Sequence, residues 1–282
     1  MKIPKLIKPL IEDGLISEVI QSIMSGKEAS LYVVRCGTKI RCAKVYKEAN
    51  KRSFKKSAQY QEGRKIKNSR RARAIQKGSK YGKQQQEETW QNAELLALCR
   101  VRECGVRVPE TFGYFDGILL MELITNKQGH VAPRLADISM SKETALFEHT
   151  ILVRYIVYML CAGIIHGDLS EFNVLAGADG LVVIDLPQAV DASSNNNAEI
   201  MLKRDVDNIT QYFSNFAPEL INTRYGDEIW SLYIEGNLKP DISLTGAYEE
   251  STGPANVDIV MLEIKAAIKE EEARLARVKE AE

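Results

Sequence analysis

Hydrophobic and polar residues alternate in two short stretches near the amino terminus, residues 31–34 and 40–46. A Gly-containing segment, residues 36–39, lies between them. Side chains of a strand point alternately to its two faces, so this pattern predicts two strands joined by a turn.

A second hairpin is predicted in the middle of the chain, where residues 173–176 and 181–184 flank a Gly-Ala-Asp-Gly turn. Apolar residues at helical spacing predict helices over residues 87–104, 141–161, 204–215 and 257–282. The segment 237–256 contains two prolines and two glycines and is typical of a linker.

The composition indicates a chain that folds around a sizeable core, since 45% of its 282 residues are hydrophobic. No apolar run approaches the ~18 residues that cross a bilayer. The amino terminus lacks the long apolar core of a signal peptide. Five cysteines form no Cys-x-x-Cys pair. These features predict a cytoplasmic protein that does not contact a membrane.

Charge is distributed unevenly, although the net charge is zero. Residues 47–83, named here the basic segment, contain fourteen lysines and arginines and two glutamates. One interpretation is a flexible, solvated loop, centred on about residues 61–86. The other is contact with phosphate groups, either of an RNA backbone or of a phosphorylated partner. Aromatic residues are sparse in this segment, which argues against a platform for stacking bases.

The sequence His-Gly-Asp-Leu-Ser-Glu-Phe-Asn at residues 166–173 has the spacing of a phosphoryl-transfer loop. Asp168 is placed to accept the proton of an attacking hydroxyl group. Asn173 lies five positions later, and Asp185 follows the predicted hairpin. Amide and carboxylate oxygens at these two positions suit a Mg²⁺ ion that bridges the phosphates of ATP. His-Gly-Asp alone would be an ordinary turn; the hairpin after it favours catalysis.

Ala43-Lys44 on the second predicted strand resembles the kinase strand whose lysine contacts the α- and β-phosphates. The helix at 87–104 offers a glutamate to pair with it. We select Glu94, which lies beside apolar residues, and keep Glu87 and Glu88 as alternatives. The latter two also suit a charged first turn that complements the helix dipole.

A candidate phosphate loop precedes the first predicted strand pair. It consists of Ser25, Gly26, Lys27, Glu28 and Ala29. It has one glycine where protein kinases have three, and on its own it could equally be a surface turn. The chain contains neither a Walker motif nor a Gly-x-Gly-x-x-Gly motif, which excludes P-loop and dinucleotide-binding folds.

Four motifs together resemble those of the RIO kinases, atypical serine/threonine protein kinases found from bacteria to eukaryotes. Residues 25–29 resemble their phosphate loop and residues 43–46 their lysine strand. Residues 166–173 resemble their catalytic loop, and Ile-Asp-Leu-Pro-Gln at 184–188 their replacement for Asp-Phe-Gly. The resemblance runs from about residue 20 to 216 and is greatest to the first RIO subfamily, in a bacterial-type version.

The resemblance implies an α+β, reduced two-lobed protein-kinase-like fold. Its N-lobe would be rich in strands with one long helix, and its C-lobe mostly helical, without an activation loop or a peptide-docking subdomain. The predicted parts are a helical segment 1–24, the N-lobe 25–120, the hinge 121–124, the C-lobe 125–236, the linker 237–256 and an amphipathic helix 257–282.

The resemblance also assigns roles to individual residues. Asp168 would be the catalytic aspartate, and Asn173 and Asp185 would bind Mg²⁺, with Mn²⁺ as an alternative. Lys44 would bind the phosphates of ATP and Glu94 would orient it. In the hinge, the residues assigned to adenine are Met121, Glu122 and Ile124.

These assignments predict an ATP-dependent serine/threonine kinase that phosphorylates a protein, including itself. An alternative is an ATPase-type conformational switch that acts in assembly of a ribosome or another ribonucleoprotein particle through the basic segment. A weaker alternative is a small-molecule kinase, because such enzymes share the His-Gly-Asp arrangement.

Overall fold

The structure, a computed structural model, describes residues 4–26, 29–47 and 94–249. The chain divides into two compact units, residues 1–247 and 248–282. The second unit, with the predicted helix 257–282, lies almost entirely outside the described residues. Two predicted site residues, Lys27 and Glu28, also lie outside the described residues, as do the alternatives Glu87 and Glu88. The same is true of most of the basic segment, residues 48–83.

The N-lobe, formed by the described residues up to 122, is an antiparallel sheet of five strands in the order β1-β2-β3-β5-β4. The strands are β1 Glu18–Ser25, β2 Ala29–Cys36, β3 Lys39–Tyr46, β4 Thr111–Phe115 and β5 Ile118–Glu122. A short helix, α1 (Ile7–Glu12), covers one face of the sheet. There Ile7 and Leu10 pack with Val34 and Ile118, and all four side chains are buried. On burial, such side chains contribute ~1.5–3 kcal/mol each.

Two predictions near the amino terminus are corrected by the structure. Within the described part of the predicted helical segment 1–24, residues 4–24, the only helix is α1, and residues from Glu18 onward form β1. Its β-branched residues suit a strand, and Val19 pairs with Val34 of β2. The candidate phosphate loop therefore does not precede the first strand pair but joins β1 to β2.

Helix α2 lies between β3 and β4 in the chain, and its described part covers residues 94–103. Leu98 and Val101 on this helix are buried in the main core. Gly105 ends it with a positive φ of 95°, a conformation that glycine adopts without strain. The helix thereby presents Glu94, at the start of its described part, toward β3.

The C-lobe, residues 123–247, contains more helix than strand. Its helices are α3 Lys142–Cys161, α4 Ala198–Ser214 and α5 Tyr225–Ile234, and its short strands are β6 Ile164–Ile165, β7 Val174–Gly177, β8 Gly180–Val183 and β9 Val190–Asp191. Ser141 caps α3 by accepting a hydrogen bond from Thr144 N at 3.2 Å. Helix α4 begins earlier than predicted, because an Asn195 side chain that accepts from Asn197 N turns the chain into it.

Helix α3 is the one described helix that is long and apolar enough to cross a membrane by length and composition. Its sequence also contains the charged residues Glu148 and Arg154. Leu152, Ile156 and Leu160 are buried in the C-lobe core, where they pack among the other helices. In this fold α3 is therefore the central core helix of the lobe.

The predicted linker at 237–256 also requires correction in its described part. Arg154 on α3 donates to the carbonyl groups of Pro240 at 2.7 Å and Ile242 at 2.6 Å. Glu228 on α5 accepts from the backbone of Gly246 at 2.7 Å. Charge-assisted bonds of this kind are stronger than neutral ones. Residues 237–247 are consequently part of the C-lobe rather than a linker.

His149 on α3 is a buried, neutral histidine. Its Nε2 lies 3.0 Å from Thr210 Oγ1, and its ring contacts the rings of Phe213 and Tyr225. Burial lowers the pKa of His149 to about 4. The stability of the C-lobe core therefore depends on pH through this histidine.

We expect acid to destabilise the protein through His149. In the unfolded chain a histidine has a pKa of about 6.5, so below that pH the unfolded state gains a proton that the folded state excludes. The resulting stability is present above pH 6.5 and is lost as the pH falls toward the folded-state pKa. Relative to a His149→Phe variant, the wild type should lose about 2 kcal/mol of unfolding free energy between pH 7.5 and 5. Urea unfolding of both proteins measures this; parallel pH dependences would contradict it.

Candidate active site

Lys44 lies between two carboxylates in the cleft between the lobes. Its Nζ is 2.6 Å from Glu94 Oε1 and 2.9 Å from Asp185 Oδ1. Lys44 and Glu94 are 12% and 2% exposed, whereas Asp185 is 46% exposed. Burial alone would lower the pKa of Lys44, but the charges of Glu94 and Asp185 raise it well above its ordinary value. Lys44 is thus a fixed cation at the cleft.

Asp185 follows β8 in a strained backbone conformation, with a φ of 67°. Such strain persists where the surroundings enforce it, and it clusters at functional sites. The preceding residue is held from two sides: Ile184 N donates to Asn173 O at 2.9 Å, and its carbonyl lies 3.1 Å from His166 Nε2. The charge of Lys44 lowers the pKa of Asp185, so its carboxylate is ionised at neutral pH.

The loop before β7 holds Asp168 and Asn173 in a fixed relation. Asn173 Nδ2 donates to the carbonyl group of Asp168 at 2.7 Å. Because the amide nitrogen is used in this way, Asn173 Oδ1 is directed elsewhere and can act as a ligand. Gln188 Nε2 lies 3.3 Å from Asp168 Oδ2. The catalytic loop and the segment after Asp185 therefore meet at the Asp168 carboxylate.

His166 has a positioning role in this loop. It is buried, and burial lowers its pKa. Asp168 N donates to Nδ1 of the ring at 3.3 Å, which assigns the proton of the neutral imidazole to Nε2, facing Ile184 O. His166 thus ties Asp168 to the strand end that carries Asp185.

Asp205 on α4 anchors the same loop through its backbone N–H groups. The sequence analysis did not predict this role. The Asp205 side chain is buried and accepts hydrogen bonds from Gly167 N at 2.7 Å and Leu169 N at 3.0 Å. Burial raises its pKa to about 7, against the effect of the two N–H donors. Arg204 donates to the Gly167 carbonyl group. The sequence feature that could have revealed Asp205 is its position on the apolar face of the helix, among Leu202, Val206 and Ile209.

The candidate phosphate loop is the turn between β1 and β2. Gly26 N donates to Ala29 O at 2.9 Å and closes the turn. Lys47 Nζ lies 3.2 Å from Ser25 Oγ and also donates to the Gly26 carbonyl group. A lysine just after β3 thereby holds Ser25 and Gly26 at the end of β1.

The predicted hinge begins within β5, whose last two residues are Met121 and Glu122. The Glu122 carboxylate accepts two bonds from Arg107, at 2.8 and 2.6 Å, which lowers its pKa. Its side chain therefore holds the hinge, and so does its backbone N–H, which donates to Glu110 O at 2.8 Å. Ile124 O accepts from Ala132 N, while none of the described residues supplies an acceptor for Ile124 N.

An apolar cluster, separate from the main core, lies next to the hinge. It consists of Ile124, Ala132 and Val182, with Leu175 and Ile184 packed against it. Its members come from the hinge and from β7, β8 and their flanks. The fold thus places apolar side chains beside the hinge backbone, an arrangement suited to a flat heterocycle such as adenine.

The oxygen donors fit a magnesium ion. Asp185 offers a half-exposed carboxylate, and Asn173 offers Oδ1. No group of three or more His, Cys, Asp or Glu side chains that could hold a metal occurs within the described ranges. Mg²⁺ fits such a sparse site, since it takes one or two carboxylates together with water and substrate phosphates.

The comparisons with known proteins agree with this geometry. The family model of the RIO domain matches residues 30–225. The chain belongs to the RIO family. It is 32% identical over 205 residues to the RIO-type serine/threonine-protein kinase Rio1 of Haloferax volcanii, and 27% identical over 217 residues to the human serine/threonine-protein kinase RIO1.

These alignments cover 72% and 76% of this chain but 66% and 36% of the two relatives, so the chain spans less than two thirds of their lengths. Among solved structures, the complex of Rio2 kinase with ADP/Mg²⁺ and phosphoaspartate from Chaetomium thermophilum has a TM-score of 0.54 and 19% identity. That match covers 84% of this chain and 75% of the Rio2 chain. It confirms the predicted α+β, two-lobed, protein-kinase-like fold.

The RIO fold brings the predicted site residues into three groups. Lys44, Glu94 and Asp185 are in direct contact, and Asp168 and Asn173 share one loop. In the third group, the remaining predicted nucleotide-binding residues within the described ranges lie in two other places: Ser25, Gly26 and Ala29 where the chain passes from β1 to β2, and Met121, Glu122 and Ile124 at the hinge. Between Asp185 and α4 the chain has turns and the two-residue strand β9, without a helix.

Proposed function

We propose that this RIO-family chain is an ATP-dependent serine/threonine kinase that transfers the γ-phosphate to a protein hydroxyl group, including its own. The observation that carries the proposal is the contact of Lys44 with both Glu94 and Asp185. A lysine held this way offers its charge to phosphates at the place where a metal-binding carboxylate is also available. The Haloferax and human relatives are both named serine/threonine-protein kinases, which supports the choice of acceptor.

Each residue has a defined part in this reaction. Lys44 binds the α- and β-phosphates, and Glu94 keeps its ammonium group in place. Asp185 and Asn173 would hold Mg²⁺, or Mn²⁺ in its place, and the bound ion would offset charge on the phosphates. The related Rio2 kinase was solved as a complex with ADP and Mg²⁺, which supports the choice of nucleotide and metal.

Asp168 acts on the acceptor. It orients the attacking hydroxyl group and takes its proton as the new O–P bond forms and the bond to the β,γ-bridging oxygen breaks, releasing ADP. Gln188 and His166 hold Asp168 in register with Asp185. Adenine is bound by the backbone at Met121 to Ile124, with the Ile124 N–H as a donor and the apolar cluster beside it.

An ATPase-type switch is the second candidate, and one observation favours it. Residues 186–197 provide no helix on which a peptide could dock before α4 begins. The related Rio2 complex also includes a phosphoaspartate, whose acyl-phosphate bond water can hydrolyse. In this alternative the basic segment would contact RNA or a ribosomal particle, and hydrolysis would release it.

The chemical nature of the labelled bond separates the two candidates. Purified protein is incubated with γ-labelled ATP and Mg²⁺, and the label is tested for stability to acid, alkali and hydroxylamine. The kinase proposal predicts acid-stable, alkali-labile label that resists hydroxylamine and is recovered as phosphoserine or phosphothreonine. Label that hydroxylamine removes, with steady release of free phosphate, would favour the switch. Absence of both products would overturn both candidates.

We also propose that the protein acts in the cytoplasm. The support is that all five cysteines carry free thiols. A reducing compartment keeps thiols in that state.

A further inference from the structure

Glu94 is bound by two donors, one on each carboxylate oxygen. Lys44 Nζ contacts Oε1 at 2.6 Å, and Tyr46 Oη donates to Oε2 at 2.5 Å. Glu94 and Tyr46 are 2% and 3% exposed. Burying a carboxylate to this extent is costly unless its oxygens are paired, so both donors matter for holding it in place.

Tyr46 is built to present its hydroxyl group at this point. Lys44 and Tyr46 are two positions apart on β3, so their side chains leave the same face of the strand. The Tyr46 backbone N–H donates to Gly117 O at 2.9 Å, and its ring packs 6.3 Å from the ring of Tyr114. The ring also lies 5.5 Å from Lys44 Nζ, within the range of a cation–π contact.

The hydroxyl group of Tyr46 remains a donor throughout the physiological pH range. Burial raises its pKa far above the ordinary value, and the nearby charge of Glu94 raises it further. Ionisation does not compete with its hydrogen bond to Glu94. The bond is short and charge-assisted, which is the stronger class of hydrogen bond.

We propose that Tyr46 is a positioning residue for phosphoryl transfer, which locks Glu94, and through Glu94 the ammonium group of Lys44, in the arrangement that binds ATP phosphates. This arrangement lies entirely within the N-lobe, since β3 supplies both donors, Lys44 and Tyr46, and α2 supplies the acceptor, Glu94. In this chain the Lys44–Glu94 pair is thus assembled by a neighbouring side chain of β3 and needs no contact from the short segment after Asp185. This inference rests on the proposed function for its catalytic part.

The competing explanation is that Tyr46 is an ordinary core residue. Its ring belongs to the main core, so a large truncation would disturb packing under either explanation. Tyr46→Phe removes the hydroxyl group alone and keeps the ring, its packing and its contact with Lys44. Tyr212→Phe is the matched control, because it removes a tyrosine hydroxyl that donates to Leu135 O at 2.5 Å in the C-lobe.

The test compares ligands that do and do not reach Lys44. We expect Tyr46→Phe to weaken binding of MgATP about tenfold, measured by calorimetry, and to leave the affinity for adenosine unchanged. Transfer of label from ATP, measured as kcat/KM, should fall at least tenfold. Tyr212→Phe should stay within about twofold of the wild type in all three quantities, because the hydroxyl it removes bonds to backbone carbonyl groups of the C-lobe and does not contact Glu94 or Lys44.

A double-mutant cycle completes the test. In a Glu94→Gln background, adding Tyr46→Phe should change MgATP affinity less than twofold, because the group that Tyr46 positions is already altered. Two results would overturn the inference. One is an equal loss of affinity for ATP and for adenosine in Tyr46→Phe. The other is a tenfold loss of MgATP affinity when Tyr46→Phe is added to Glu94→Gln. Because the binding measurements do not need turnover, a wild type without transfer activity would refute the proposed function and leave this test intact.

Discussion

Replacing Asp168 with asparagine is expected to slow phosphoryl transfer by about 10²- to 10⁴-fold, the range usual for loss of a general base. Asparagine keeps the shape of the side chain, and its oxygen can still accept from Gln188, which lies 3.3 Å from the carboxylate. It cannot take the proton of the attacking hydroxyl group. The affinity for MgATP should remain within about twofold, because Lys44, Asp185 and the hinge are untouched.

The Asp168→Asn experiment needs a second aspartate variant from the same region. Asp179 is exposed in the turn between β7 and β8, so Asp179→Asn changes charge equally without touching the loop. Rates of transfer and calorimetric affinities are compared for the three proteins. A normal rate in Asp168→Asn, or an equal loss in Asp179→Asn, would remove Asp168 from the mechanism.

Replacing Asp205 with alanine is expected to damage both stability and activity. It leaves the buried N–H groups of Gly167 and Leu169 without their acceptor, which costs about 2–5 kcal/mol of unfolding free energy. The loop they belong to carries Asp168, and a shift of about 1 Å there can lower the rate on the order of 10²-fold. Urea unfolding and the transfer rate measure the two effects.

Asp205→Asn provides the graded control, since its amide oxygen still accepts a hydrogen bond from this loop. Its losses should lie between those of the wild type and Asp205→Ala in both measurements. Asp168→Asn, by contrast, should lose rate at nearly unchanged stability. If Asp205→Ala unfolded like the wild type, the assigned anchoring of the loop would be wrong.

Local sequence patterns predicted the parts of the site that follow from neighbouring residues. The spacing of Asp168 and Asn173 and the hairpin that ends at Asp185 are local features, and the structure has them where the sequence indicated. Fifty positions separate Lys44 from Glu94, so their pairing was predicted from the general kinase lysine pattern and from the apolar neighbours of Glu94 rather than from a local motif.

The missed features depend on contacts between distant positions. Asp205 meets the catalytic loop across 36 to 38 positions, and Tyr46 meets Glu94 across 48, so no local pattern contains either bond. The strand at Glu18–Ser25 was predicted as part of a helical segment, and its identity comes from pairing with β2. Residues 237–247 have the composition of a linker, but Arg154 and Glu228 hold their backbone.

The measurement that tests the central claim most directly is a single turnover of γ-labelled ATP with protein in excess, in the presence of Mg²⁺. The amount of ADP formed is compared with the phosphate recovered on serine or threonine. The account predicts that the two rise together in the wild type, and that Asp185→Asn forms neither, since it lacks the metal-binding carboxylate that also contacts Lys44. Formation of serine or threonine phosphate at the wild-type rate in Asp185→Asn would contradict it.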